Sequence, residues 1–176
     1  MNKIARRINL KHSKKIFTVI LILNLLTFGA CSARYNTDIN VAEVADVIES
    51  RVPLESGYYS ASDDYFDYYF KQNGESIKSI CANWTVRCSN SQSSENEFGI
   101  IKAQAGKEKD VEAACKQYVE SRRSAYLDAK AAYSPSEYEK YANAKVLLYE
   151  DIIVYFILSS ADVKIAESAF KEIISR

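Results

Sequence analysis

Cys31 is the residue whose chemistry the sequence specifies most sharply. It follows the small pair Gly29-Ala30, with Phe28 before them, an apolar run from Ile16 to Leu26 broken only by Thr18 and Asn24, and a basic stretch holding Lys3, Arg6, Arg7, Lys11, Lys14 and Lys15 without an acidic residue. An apolar run of about a dozen residues is shorter than the roughly 20 that a bilayer span requires. A basic, then apolar, then small-residue order is instead the layout of a signal peptide. Small side chains let a peptidase approach the backbone, and a cysteine directly after them is the lipoprotein arrangement. The expectation is a lipoprotein signal peptide over residues 1–30 and a mature chain that starts at Cys31. Diacylglycerol and acyl chains on Cys31 would then hold it to the extracytoplasmic face of the cell membrane, each buried CH₂ adding about 0.8 kcal/mol. An uncleaved membrane anchor with an incidental Cys31 is the weaker alternative.

Three more thiols follow, Cys81, Cys88 and Cys115, an odd number for a chain outside the cytoplasm. They lack the paired spacing of zinc ligands, so no metal is expected. In an extended strand Cys81 and Cys88 would lie about 23 Å apart, at roughly 3.3 Å per residue, and would point to opposite faces. Cys88 instead shares a strand face with Trp84 and Val86, and Cys115 lies on the apolar stripe of a long helix. Any disulfide therefore joins Cys115 to Cys88, or to Cys81, across a sheet–helix interface; three free buried thiols are favoured over it.

Two clusters could carry further chemistry. Asp63, Asp64 and Asp67 form the tight acidic group of the mature chain, and paired carboxylates are the minimum for a carboxylate-dependent hydrolase. Aspartates at a helix start more commonly serve the helix dipole and solubility. Interleaved with them, Tyr58, Tyr59, Tyr65, Phe66, Tyr68, Tyr69 and Phe70 could stack a sugar ring or another flat ligand, with Tyr58, Tyr59, Tyr65 and Tyr69 as the candidate face. The alternative, which the helical spacing of Tyr65 with Tyr69 and Phe66 with Phe70 favours, is that these rings are core with their hydroxyls reaching the surface.

Composition removes other classes. The sole histidine, His12, falls in the leader, so the mature chain has no histidine triad, histidine base or histidine-ligated metal. Its glycines are scattered and form no phosphate loop. The chain has 23 Lys+Arg and 23 Asp+Glu; without the six basic residues of the leader the mature part carries about −6, which argues against a nucleic-acid partner. No cofactor is expected. About 145 residues suffice for one domain.

The elements that must position these groups can be read from periodicity. Residues 31–40 are polar and read as a lipidated tether. Val41, Val44, Val47 and Ile48 place a helix over about 41–51, capped by Asp38 or Asn40 and ended by Pro53. A short helix follows at about 62–72, capped by Ser60 or Ser62 and closed by Asn73-Gly74. From Trp84 to Ser89 the period is two, a half-buried strand; the polar segment 90–96 links it to a strand over 97–103. Residues 107 to about 133 form a long helix with the stripe Val111, Cys115, Tyr118, Val119, Tyr126 and Ala129. Pro135 restarts a helical turn through Tyr141. A second hairpin pairs 145–149 with 152–158, the latter apolar on both faces and so central in the sheet. Ser159 or Ser160 caps a last helix with the stripe Ala166, Ala169, Phe170, Ile173 and Ile174. The predicted fold is α+β: a two-layer, mainly antiparallel sheet of about four strands in two hairpins, packed by the long central helix and the C-terminal helix, as one domain over 41–176.

Glu97-Phe98-Gly99-Ile100-Ile101-Lys102-Ala103, Tyr133-Ser134-Pro135 after the long helix, Asn143-Ala144-Lys145-Val146 before the second hairpin and Ala169-Phe170 in the last helix together resemble a family of uncharacterised bacterial lipoproteins. It is the domain of unknown function numbered four-three-five-eight, seen mostly in clostridia. The resemblance covers roughly 38–175 and implies an envelope protein, with no known activity and no catalytic residues to carry over. The cysteines and the tyrosine cluster depart from that pattern. The function expected from sequence is a membrane-tethered, non-catalytic extracytoplasmic domain that binds an envelope protein or component. A sugar-type ligand binder and a carboxylate-dependent hydrolase are the alternatives.

Overall fold

The computed structural model describes residues 35–91, 95–128 and 134–176. The expected leader with Cys31, the middle of the expected 90–96 link and the expected end of the long helix with Ala129 fall outside the described residues.

Helix α1 (Val41–Arg51) is capped by Asn40, whose side chain accepts from the amides of Ala42 at 3.0 Å and Glu43 at 3.5 Å. Strand β1 (Tyr58–Ser60) leads to α2 (Asp63–Tyr69), capped by Ser62. A miniature hairpin, β2 (Lys71–Gln72) and β3 (Glu75–Ser76), and a 3₁₀ turn (Ile77–Ile80) precede β4 (Cys81–Ser89) and β5 (Glu97–Ala103). Helix α3 (Glu108–Asp128) and helix α4 (Pro135–Ala142), with Ser134 as cap and Pro135 in its first turn, lead to β6 (Lys145–Tyr149), β7 (Ile152–Ile157) and α5 (Ser160–Ile174), capped by Ser159.

The fold is α+β, with a five-stranded sheet in the order β1-β4-β5-β7-β6 and every pairing antiparallel. The two expected hairpins are β4–β5 and β6–β7. The fifth strand is β1 at the edge, which is only three residues long and so offers too short a period to detect. β7 runs inside the sheet and is buried along its whole length.

Alternation along the strands divides the interior in two. One face gathers Phe98, Ile100, Ile152, Val154 and Phe156 beneath α1 and α5. The other gathers Val86, Cys88, Ile101, Ile153, Tyr155 and Ile157 beneath α2, α3 and Tyr141 of α4. The helices thus cover both faces and the two expected layers become three. Val111, Cys115, Tyr118, Val119 and Tyr126 of the first expected stripe and Ala166, Ala169, Phe170 and Ile174 of the second are buried, but a stripe does not say which face of a sheet it meets. β5 and β7 are apolar on both sides, which demands a cover on each.

Three further differences have local causes. Asn73-Gly74 closes no helix: with φ of 53° and 85° the pair makes the tight turn of β2–β3, the conformation that an Asn-Gly pair favours. α2 ends at Tyr69 accordingly. A bulge between Cys81 and Asn83 shifts the register of β4, so Cys81 and Cys88 both enter the same core instead of facing opposite ways. Residues 35–40, expected to be part of a tether, belong instead to the folded unit. The compact unit begins at Tyr35, whose ring meets Tyr149 edge-on at 5.2 Å and whose amide donates to Glu150 at 3.0 Å, while the amide of Asn36 donates to the Ile174 carbonyl at 2.7 Å.

Candidate functional site

The polar centre of the molecule is Glu97, the first residue of β5. It is 5% exposed, on the face covered by α2 and α3. Tyr155 of β7 donates to its Oε1 at 2.5 Å, Tyr118 of α3 lies 2.9 Å from both oxygens, and Tyr65 of α2 donates to Oε2 at 3.0 Å. The hydroxyls of Tyr65 and Tyr118 are themselves 2.8 Å apart. Burial raises the Glu97 carboxyl above its ordinary range, and the three hydroxyls and the nearby Arg122 charge oppose that rise. Burial likewise raises all three phenols, so they stay protonated as donors.

Gly99 is what admits this network. It pairs with Tyr155 across β5–β7, and a Cβ there would stand 2.2 Å from Cε1 of the Tyr155 ring. The ring lies over the bare glycine, and its hydroxyl reaches Glu97, two residues back on the same face of β5.

A cavity of about 200 Å³ opens beside this centre. Its walls are Tyr59 of β1, Tyr65, Cys88 and Ser89 of β4, Ser91, Glu95, Asn96 and Glu97, Arg122 of α3, Tyr141 of α4 and Ile157 of β7. Its rim is pinned from three sides. The Glu95 amide donates to Glu137 of α4 at 3.0 Å, and Arg122 Nη2 donates to Glu95 Oε2 at 2.5 Å. Tyr141 also donates to that oxygen. Glu137 is in turn held by Lys140 at 2.6 Å, an ion pair with both side chains about nine-tenths buried. Burial by itself would lower the Arg122 guanidinium, but Tyr118, Tyr141, Glu97 and Glu95 around it raise it. Asn96 is 6% exposed, and among the described residues its Oδ1 has no hydrogen-bond partner.

The tyrosine cluster does not form one ligand face. Tyr58 and Tyr59 are neighbours on a strand and point to opposite sides of the sheet. Tyr58 packs edge-on to Phe98 at 5.5 Å and donates to the Val52 carbonyl at 3.1 Å, away from the cavity, whereas Tyr59 lines the cavity and is 46% exposed. Tyr65 is half-buried on Glu97. Tyr69 is exposed, its ring 4.6 Å from that of Tyr65, and Tyr68 beside it faces solvent with Lys71 over its ring. The core reading holds for Phe66 and Phe70, which are fully buried and stacked at 4.7 Å, with Phe66 also 4.2 Å from Trp84. It fails for Tyr69. Of the candidate face, Tyr59 and Tyr65 reach the cavity and Tyr58 and Tyr69 do not.

The aspartates are elsewhere. Lys78 pairs with Asp63 at 2.7 Å and with Asp67 at 3.7 Å, and Ser76 donates to Asp67 at 2.5 Å, which ties α2 to the 3₁₀ turn. Asp63, Asp64 and Asp67 do not line the cavity. The carboxyls that do, Glu95 and Glu97, were missed because their partners come from α2, α3, α4 and β7; the one available signal was a charged residue opening an otherwise apolar strand.

Cys81, Cys88 and Cys115 are free and buried. Cys88 and Cys115 share one core without a bridge. The Cys81 thiol donates to the Ile77 carbonyl at 3.2 Å. Burial pushes the Cys81 and Cys88 thiols up to about 12, and Cys115 is raised as well, so none is a nucleophile at neutral pH. Among the described residues no cluster of His, Cys, Asp and Glu could hold a metal ion, and no helix is long and apolar enough to cross a membrane. A second, open groove beside α1 is bordered by Asp46 and Glu49, but Arg87 holds both, at 2.7 and 3.3 Å.

No protein-family model, curated protein or solved structure matches the chain.

Proposed function

We propose that this is a lipid-anchored extracytoplasmic binding domain, and that the cavity beside Glu97 takes a small polar ligand. The observation that carries the reading is the cavity itself. Its walls come from seven separate strands and helices and bring two carboxyls, a guanidinium and three tyrosines together around about 200 Å³. A binding role fits better than hydrolysis, because both oxygens of Glu97 are engaged by hydroxyls and so are not placed to pass a proton to a substrate.

The anchor belongs to the same proposal. Tyr35 is docked beside Glu150, at the start of β7, whereas the cavity meets Ile157 at the end of β7. Four residues of chain, at most about 14 Å, separate Cys31 from Tyr35. Acyl chains on Cys31 would hold the Glu150 end of the sheet towards the membrane and leave the cavity at the distal end.

The binding reading is tested by titrating the full chain in detergent with neutral sugars, amino acids, amines and carboxylic acids while following amide chemical shifts. Shifts centred on Tyr59, Ser89, Asn96 and Ile157 are expected for at least one class. Silence at these amides, or shifts confined to Tyr68 and Tyr69, would reject it. For the anchor, the intact mass of membrane-extracted protein should correspond to a chain beginning at Cys31 with acyl groups attached; an unmodified cysteine or cleavage elsewhere would reject that part.

A further inference from the structure

We infer that the ligand of this cavity is a small organic ammonium ion, bound between the free oxygen of Glu95, the Asn96 amide oxygen and the Tyr59 ring. The inference rests on the binding reading above and adds the sign of the ligand's charge.

The argument is a balance of donors and acceptors. The cavity's strong donors are already engaged on its own carboxyls: Tyr65 on Glu97 at 3.0 Å, Arg122 on Glu95 at 2.5 Å, and Tyr141 on Glu95. What remains is mostly acceptor. Glu95 Oε2 takes both Arg122 and Tyr141, which leaves Oε1 without a partner among the described residues. Asn96 Oδ1 is likewise unpartnered, on a residue more than nine-tenths buried that lines the cavity. A buried acceptor without a donor is costly, so a group that donates to Asn96 Oδ1 gains more than it would in water, and Glu95 Oε1, on a side chain 45% exposed, is open to the same donor.

Charge points the same way. The one guanidinium of the cavity, Arg122, is already paired with the Glu95 carboxylate. Among the described residues Arg122 Nε also lacks a partner, but the charge of the guanidinium is already matched by Glu95. An anion would meet the Glu95 carboxylate with no free cation to receive it, whereas an ammonium supplies the missing donors. Tyr59 adds an exposed ring face at the mouth, suited to a cation. The size, about 200 Å³, suits a molecule of a few heavy atoms.

Calorimetric titration of the full chain in detergent with ethanolamine, putrescine, acetate and glucose tests this. The two amines are expected to bind and acetate and glucose to give no signal. Glu95→Gln, which keeps the shape of the side chain and an oxygen for Arg122 and Tyr141, should weaken amine binding by about tenfold or more. Tyr59→Ala should weaken it by a smaller factor, with melting curves showing that both variants are folded. Binding of acetate or glucose with no response to either amine would overturn the charge assignment and leave the cavity as the binding site. Amine binding that is indifferent to both substitutions would overturn the assigned site, and no binding by any of the four would overturn the inference together with the reading under it.

Discussion

The two faces of the sheet are built from the same strands yet differ in kind. Under α1 and α5 the inward residues are aliphatic or aromatic: Phe98, Ile100, Ile152, Val154 and Phe156 meet Val44, Ile48, Ala166 and Phe170. Under α2, α3 and α4 the equivalent positions of β5 and β7 hold Glu97, Gly99 and Tyr155, and the covering helices answer with Tyr65, Tyr118, Arg122 and Tyr141. Buried polar networks seldom stabilise more than apolar packing of the same volume would. A chain that fills one face with hydrocarbon shows what its sequence can do for stability alone. The difference on the other face is what the proposed binding role would account for.

Substitutions can separate the faces, beginning with the largest effect. Phe156→Ala, on the apolar face, should cost about 3–5 kcal/mol by leaving a cavity, and ligand affinity of the folded fraction should not change; denaturant melts with binding titrations check both. Gly99→Ala, on the polar face, should cost about 1–3 kcal/mol. Its new Cβ would strike the Tyr155 ring at 2.2 Å and move the hydroxyl away from Glu97, so affinity should fall as well. A Gly99→Ala variant that keeps full affinity would detach the glycine from the site.

Glu97→Gln gives a smaller effect that depends on pH. The folded protein holds this carboxyl's proton more tightly than the unfolded chain does, because burial raises it above the ordinary value of 4.5. Its contribution to stability is therefore complete below that value and is lost as pH rises through the folded value. The wild-type melting temperature, measured relative to Glu97→Gln, should rise as pH falls from 8 towards 4.5. Glu112 and Glu167, lowered by their lysine partners, act in the opposite sense but are shared by both proteins and cancel. A flat difference would show that Glu97 titrates normally. At the foot of the scale, Tyr68→Ala and Asp64→Asn should change stability by no more than about 0.5 kcal/mol and leave binding untouched.

The contrast between the faces also explains what the sequence disclosed. Strands β5 and β6, helix α1 and the stripe of α5 were legible because their apolar periods are long and regular, and Asn40, Ser62 and Ser159 act as caps where side-chain chemistry suggests. The site was not legible. Glu97 looked like a polar residue at the start of a strand, and nothing local says that Tyr118 and Tyr155, 21 and 58 positions away, converge on it. Tyr65 was singled out, but for its aromatic neighbours and not for the carboxylate its hydroxyl meets. Local periodicity reports which way a side chain points; it cannot report which distant side chains point back.

The most direct measurement is the melting temperature and ethanolamine affinity of one triple variant, Glu97→Met with Tyr118→Phe and Tyr155→Phe. It replaces the polar centre by hydrocarbon of nearly the same volume and makes this face resemble its partner. If the network is there for the ligand, the variant should melt at the same temperature or higher and bind ethanolamine at least tenfold more weakly, a loss of about 1.4 kcal/mol. A melting temperature lower by about 10 °C, with affinity unchanged, would show that the network serves the fold.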